Sequence, residues 1–197
     1  MNKVHVIFGS TIAAVVIIAS SVVIMSQSAE WDYPQIDSNV ISESRPQSTT
    51  LDMVTLVDPN DRAVREIATH METPDDVFAF IKKHISPARD IDVYGVSEYW
   101  ASPAETLFHR SADCEDAAIL TAAIFLAMEL EPTILIITAK PVGHVAVLLN
   151  GQYYDIFATV HNKPPMDLSS VTGILGIKIG IDGNIVHRAL DPQEIFS

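Results

Sequence analysis

Apolar and polar positions divide the chain into three stretches. Residues 4–25 contain no Asp, Glu, Lys or Arg and consist mainly of Ile, Val and Ala. About 20 apolar residues are needed to cross a bilayer core, whereas the apolar region of a signal peptide usually has about 7 to 15. The pattern predicts a membrane anchor, a transmembrane helix, in residues 1–25. A polar, flexible tether follows over residues 26–50, and a folded domain over residues 51–197.

Charges around the apolar segment predict its orientation. Lys3 and the terminal amine precede it, and acidic residues follow it. Because positive charge is retained on the cytoplasmic side, we expect a single-pass membrane protein whose C-terminal domain is extracytoplasmic. The competing interpretation is a signal sequence cleaved near the small residues Ser26, Ser28 and Ala29, which would release a secreted protein.

Helical periodicity dominates the first half of the domain. Residues 58–71 have apolar positions at helical spacing. Thr73 and Pro74, followed by Asp76, are typical of a capped helix start. A short helix is predicted from Pro103 onwards, because proline is favoured in the first turn.

The second half combines one apolar helix with strands. Residues 114–130 have almost no polar face, which predicts a central, buried helix that begins at Cys114. Asn150-Gly151 is a strong signal for a tight turn between two strands. The predicted strands are residues 133–138, 144–149, 152–157, 177–181 and 185–190. Helices followed by an antiparallel sheet, with one buried helix between them, define an α+β fold.

Composition narrows the possible chemistry. The chain has 12 basic and 25 acidic residues, for a net charge of −13, which argues against a nucleic-acid partner. Cys114 is the only cysteine, so disulfides and thiolate-rich zinc sites are excluded. This thiol is therefore inert, a metal ligand with histidine partners, or a nucleophile.

The position of Cys114 favours a nucleophile. The positive end of the helix dipole is expected to stabilise a thiolate at the helix start. Asp113 and Asp116 resemble a capping box there. Asp113 and Glu115 oppose thiolate formation, so an activating base is still needed.

His144 and Asp155 are candidates for that base and for the residue that orients it. With a two-residue turn at Asn150-Gly151, directly opposed residues have numbers that sum to 301. His144 and Asp155 then lie one diagonal step apart on the same face. A nucleophile, a base and an orienting carboxylate are the groups that covalent catalysis requires.

Four segments together resemble the transglutaminase-like superfamily of papain-like fold, including its bacterial and archaeal cysteine-protease-like members. They are residues 99–107, with Tyr-Trp-Ala-Ser-Pro, residues 113–120, with Asp-Cys-Glu-Asp, residues 143–147, with Gly-His-Val, and residues 153–155, with Tyr-Tyr-Asp. The resemblance implies that Cys114 attacks an amide carbonyl of a protein or peptide through a thioester, with His144 as base and Asp155 as orienting residue. It also implies that Trp100 lines the cleft. One departure is Ala112, where members commonly have glycine.

Calcium is the only candidate cofactor that the resemblance implies. Some relatives bind calcium through the acids that flank the cysteine, and Asp113 and Glu115 match those positions. The same acids are also common at the start of such helices without a metal, so no metal at all is the other expectation.

Three classes of function remain open: an enzyme, a binding module and a structural protein. A cysteine protease or amidohydrolase and a transamidating acyltransferase share the thioester intermediate. A non-catalytic module would instead use the cleft to bind a peptide or protein partner. A structural membrane protein would use the domain only as a scaffold.

Overall fold

The computed structural model describes residues 33–36, 50–141, 143–158 and 166–196. The predicted transmembrane segment and most of the predicted tether lie outside these residues. Within the described ranges, no helix has the length and apolar character needed to cross a membrane.

Helices make up most of the first half of the described chain. Thr73 caps α3 with a full capping box to Asp76, as predicted, and Ser102 caps α5 in the same way. The second helix is shorter than the predicted range of 58–71, because Asp61 caps its first turn. The helices are α1 (Thr50–Leu56), α2 (Arg62–Ala68), α3 (Pro74–His84), α4 (Asp90–Val93), α5 (Pro103–His109), α6 (Cys114–Ala127) and α7 (Pro192–Phe196).

Strands of the second half form an antiparallel sheet with the order β5-β4-β3-β6-β7. Two short strands between the helices, β1 and β2, pair in parallel. The predicted α+β class is confirmed. The strands are β1 (Ser86–Pro87), β2 (Ser111–Ala112), β3 (Thr133–Ala139), β4 (His144–Leu149), β5 (Gln152–Tyr154), β6 (Val171–Ile179) and β7 (Ile185–Leu190).

The sixth helix is the centre of the domain. Its apolar residues, including Ile119, Leu120 and Phe125, are completely buried. It packs against β3 and β4, with α2, α3 and α5 around it. The ring of Phe125 meets that of Tyr154 edge-on, with centroids 5.2 Å apart. This packing fixes α6 beside the sheet.

Two strands differ from their predicted bounds by more than one residue. The fifth strand ends at Tyr154, because the side chain of Asp155 accepts the backbone N–H of Phe157 and turns the chain out of the sheet. The sixth strand begins at Val171 rather than at residue 177. Glycines inside β6 weaken the sequence signal for a strand. Gly176 nevertheless suits the packing here, since a Cβ at this position would lie 2.6 Å from Cδ1 of Leu190 and that side chain would have to shift.

Part of the predicted tether contacts the domain. The hydroxyl of Tyr33 donates to the carbonyl oxygen of Leu107 at 2.6 Å. The guanidinium of Arg110 lies 3.9 Å from the centre of the Tyr33 ring, and the ring stacks on Phe80. These contacts hold residue 33 against α3 and α5.

Candidate active site

Cys114 is the first residue of α6 and lines a cavity of about 700 Å³. Its half-buried side chain lies beside the backbone N–H of Val145 in β4. His144, the first residue of β4, lines the same cavity. The start of the buried helix and the start of a sheet strand therefore meet at one cavity.

The thiol of Cys114 also contacts an acid. It donates a hydrogen bond to Glu115, with Sγ and Oε2 3.0 Å apart. Burial raises the pKa of Cys114 well above its ordinary value, and the negative charge of Glu115 raises it further. This direction opposes the prediction that the helix start favours a thiolate, because burial and the neighbouring acid outweigh the helix dipole. Cys114 is a protonated thiol at neutral pH and needs a base before it can attack.

His144 and Asp155 form a hydrogen-bonded pair. Nε2 of His144 lies 2.6 Å from Oδ2 of Asp155, and the two side chains are only 9% and 2% exposed. Val147 pairs with Tyr154, so the hairpin has the predicted register. Asp155 follows the last residue of β5 directly. Because Asp155 engages Nε2, the other ring nitrogen of His144, Nδ1, is the one left for a proton from another group.

The carboxylate of Asp155 has two further donors. The hydroxyl of Tyr153 donates to Oδ2 at 2.9 Å, and the backbone N–H of Phe157 donates to Oδ1 at 2.8 Å. Lys82 of α3 holds the following turn by donating to the carbonyl oxygen of Ile156 at 2.6 Å. The sequence motifs assign no role to Tyr153 or Lys82. Lys82 carries no local signal because its contact is made across 74 residues.

The cavity is lined by aromatic, apolar and acidic side chains. Trp100, the expected cleft residue, lines it, and its Nε1–H donates to Glu98 at 3.0 Å. The ring of Phe157 meets that of His144 edge-on, with centroids 6.1 Å apart. Met53 of α1 adds an apolar contact that the sequence did not indicate. The cavity therefore presents aromatic and acidic groups together.

The start of α6 is capped differently from the prediction. Asp113 occupies the N-cap position but makes no side-chain hydrogen bond to the helix. The predicted capping box is wrong, because Asp116 turns away and its Oδ1 accepts the backbone N–H of Ala101 at 2.6 Å. The other oxygen, Oδ2, is buried without a hydrogen-bond partner in the described part of the chain. Asp116 therefore joins the neighbouring loop to α6.

Three acids beside the thiol have the chemistry of a cation site. Asp90, Asp113 and Glu115 each offer one oxygen, and these oxygens lie within 4.8 Å of one another. Carboxylate oxygens are the ligands that calcium prefers. The two acids that flank Cys114 thus fit the calcium expectation, and Asp90 is an additional acid that the motif does not contain.

The fold and cavity define a class of protein. An antiparallel sheet, a buried helix that starts at a cysteine, and a histidine–carboxylate pair at the same cavity fit an α+β transglutaminase-like domain. A family model described as a transglutaminase-like domain matches residues 28–177, and the chain belongs to this family. The resemblance inferred from the sequence is confirmed. No curated protein matches the chain.

Proposed function

We propose that the chain is a thiol enzyme that cleaves or transfers amide bonds of a protein or peptide, with a cysteine protease as the favoured form. Cys114 is the proposed nucleophile, His144 the base and Asp155 the residue that orients the base. The observation that carries the proposal is the 2.6 Å His144–Asp155 pair at the cavity that Cys114 also lines. Family membership supports the class of chemistry, because transglutaminase-like domains are often cysteine-dependent enzymes.

The proposed first half-reaction forms a thioester. Nδ1 of His144 takes the thiol proton while the sulfur of Cys114 attacks the substrate carbonyl carbon. The backbone N–H of Cys114, at the helix start, donates to the resulting oxyanion. The carbon–nitrogen bond then breaks, and His144 returns the proton to the leaving amine.

The second half-reaction resolves the thioester. Water or a second amine attacks the acyl carbon, and His144 takes a proton from this attacking group. The carbon–sulfur bond breaks and the proton returns to the sulfur of Cys114, which releases a carboxylic acid or a new amide. An acid at the cavity wall, such as Glu98, would attract an amine that carries positive charge.

Asp155 has a defined part in this scheme. By accepting a hydrogen bond at Nε2, it holds His144 in the tautomer whose Nδ1 is unprotonated. Calcium on the acids beside Cys114 would add positive charge next to the thiol. No step of the proposed reaction depends on it.

One observation favours a second candidate function, the non-catalytic binding of a peptide or protein partner. Glu115 accepts the hydrogen bond of the Cys114 thiol, and burial raises the pKa of that thiol. In a binding module, Cys114 would be a polar group of the cleft wall and would form no thioester.

Acyl transfer from p-nitrophenyl acetate to the full-length chain distinguishes the two functions. The enzyme proposal predicts continued release of nitrophenol and an acetyl group on Cys114, detected by mass spectrometry. Cys114→Ser and His144→Ala are expected to lower turnover by at least about 100-fold, because the nucleophile or its base is lost. His187→Ala is the matched control, since His187 is exposed on β7. It is expected to leave turnover unchanged.

Two results would contradict the enzyme proposal. One is equal turnover in wild type and His144→Ala. The other is acetylation without any dependence on Cys114. Either result, combined with peptide binding by the folded chain, would support the binding module.

We also propose that residues 4–25 anchor the protein in a membrane, with the folded domain on the extracytoplasmic side. The uncharged apolar run, Lys3 before it and the acidic residues after it support this proposal. Protease added to intact cells is expected to digest the domain, while a cytoplasmic marker survives. Recovery of a shortened chain in the medium would instead indicate a cleaved signal sequence.

A further inference from the structure

The turn that follows β5, residues 155–158, contacts the ring of His144 twice. Oδ2 of Asp155 lies 2.6 Å from Nε2 of His144. The ring of Phe157 meets the imidazole edge-on, with centroids 6.1 Å apart. Within the turn, the backbone N–H of Ala158 donates to the carbonyl oxygen of Asp155 at 3.2 Å. The position of the imidazole therefore depends on where this turn lies.

Lys82 binds this turn from outside the sheet. Its Nζ donates to the carbonyl oxygen of Ile156 at 2.6 Å and lies 3.3 Å from that of Ala158. Ile156 and Ala158 are both buried. A buried carbonyl group that loses its donor costs free energy. One ammonium group thus serves two carbonyl groups and joins the turn to α3.

The helix directs Lys82 towards the turn. Phe78 lies four residues earlier, and residues four apart share one face of a helix. The ring of Phe78 meets that of Tyr154, the last residue of β5, with centroids 6.1 Å apart. Nζ of Lys82 lies 5.8 Å from the centre of the Phe78 ring, a distance at which a cation is attracted to an aromatic face. The face of α3 that packs on β5 therefore also guides the lysine.

We propose that Lys82 is a positioning residue for His144, the proposed base. Its ammonium group holds residues 155–158, so that Asp155 and Phe157 keep their contacts with the imidazole. Among the described residues, those that line the cavity do not include Lys82, so its effect passes through the turn. The inference rests on the proposed function for its effect on turnover, but the state of the His144–Asp155 pair can be measured without any reaction.

Turnover of p-nitrophenyl acetate by variants of the full-length chain gives the first test. Lys82→Met removes the ammonium group and keeps a side chain of similar shape. We expect kcat to fall about tenfold, because the turn loses a charged donor. Lys82→Arg is expected to stay within about threefold of the wild type, because a guanidinium group can also donate to two carbonyl groups.

Lys83→Met is the matched control. Lys83 is exposed and lies with Lys82 in the last turn of α3, where either positive charge stabilises the helix through its dipole. Lys83→Met therefore removes the same charge from the same helix end, and we expect its kcat to equal that of the wild type. If Lys82→Met does not fold, Lys82→Gln, which keeps a neutral donor, gives the same test with a smaller fall in kcat.

Proton NMR of the same variants measures the pair directly. The proton on Nε2 of His144 that is shared with Asp155 should give a downfield signal that His144→Ala lacks. We expect Lys82→Met to weaken this signal or shift it upfield, whereas Lys82→Arg and Lys83→Met retain it. A lysine that only stabilised the fold would leave the signal of the folded chain unchanged.

Two results would overturn the positioning role. One is the same kcat and the same downfield signal in Lys82→Met and the wild type. The other is an equal loss in Lys82→Met and Lys83→Met, which would indicate an effect of the helix dipole. Absence of turnover in the wild type would overturn the proposed function alone, because the NMR comparison would still decide the role of Lys82.

Discussion

At the scale of single residues, one oxygen atom receives two donors. Oδ2 of Asp155 lies 2.6 Å from Nε2 of His144 and 2.9 Å from the hydroxyl of Tyr153. Burial raises the pKa of Tyr153, and the charge of Asp155 raises it further, so the hydroxyl keeps its proton. Tyr153 is thus a permanent donor to the carboxylate, and we assign it as a positioning residue for His144.

Tyr153→Phe tests this assignment through the ester turnover proposed above. A hydrogen bond to a charged group contributes about 1.5 to 3 kcal/mol, so we expect kcat to fall by about tenfold or more. KM is expected to stay unchanged, because Tyr153 is buried and does not line the cavity that Cys114 and His144 share. Tyr154→Phe is the matched control, since its hydroxyl lies near Asp75 at 3.4 Å instead. Equal kcat values for the two variants would contradict the positioning role.

At the scale of secondary-structure elements, local signals predicted the features that local chemistry decides. Thr73 and Asp76 predicted the start of α3, because a capping box is complete within four residues. Asn150-Gly151 predicted the hairpin register, which brings His144 and Asp155 together. The apolar run after Cys114 predicted a buried helix, since no polar face was left for solvent.

Features that depend on distant contacts were not predictable. Asp116 leaves the cap of α6 because its carboxylate binds the backbone of Ala101, 15 residues away. Asp90 lies in a segment for which the sequence predicted no helix or strand, so nothing placed it beside Glu115. Gly176 weakened the sequence signal for the early start of β6. The close packing of Gly176 against Leu190 can be seen only in the folded chain. Tertiary contacts decided each of these positions.

At the scale of the whole molecule, several acidic side chains are buried inside the folded domain. The chain carries a net charge of −13, and several of its acids are buried around α6. Burial, followed by the charge of Asp113, raises the pKa of Asp90 to about 7 and that of Asp116 to about 9. The ordinary value for both is 3.8, so the folded chain holds protons that the unfolded chain has already released. The exposed Asp76 has the opposite effect on the pH dependence of stability, because hydrogen bonds from Thr73 lower its pKa.

These directions predict a stability that falls with increasing pH. A raised carboxyl pKa contributes stability that is complete below its unfolded value and is lost as the pH passes its folded value. In EDTA, we therefore expect the free energy of unfolding to decrease from about pH 5 to about pH 9, by about 1.4 kcal/mol per pH unit for each extra proton held by the folded chain. Urea denaturation of the full-length chain at several pH values measures the slope. Asp116→Asn should flatten this slope. Asp92→Asn is the control and should not, because Asp92 is exposed and paired with Arg89. A free energy of unfolding that is constant or rises over this pH range would refute the protonation of Asp90 and Asp116 in the folded chain.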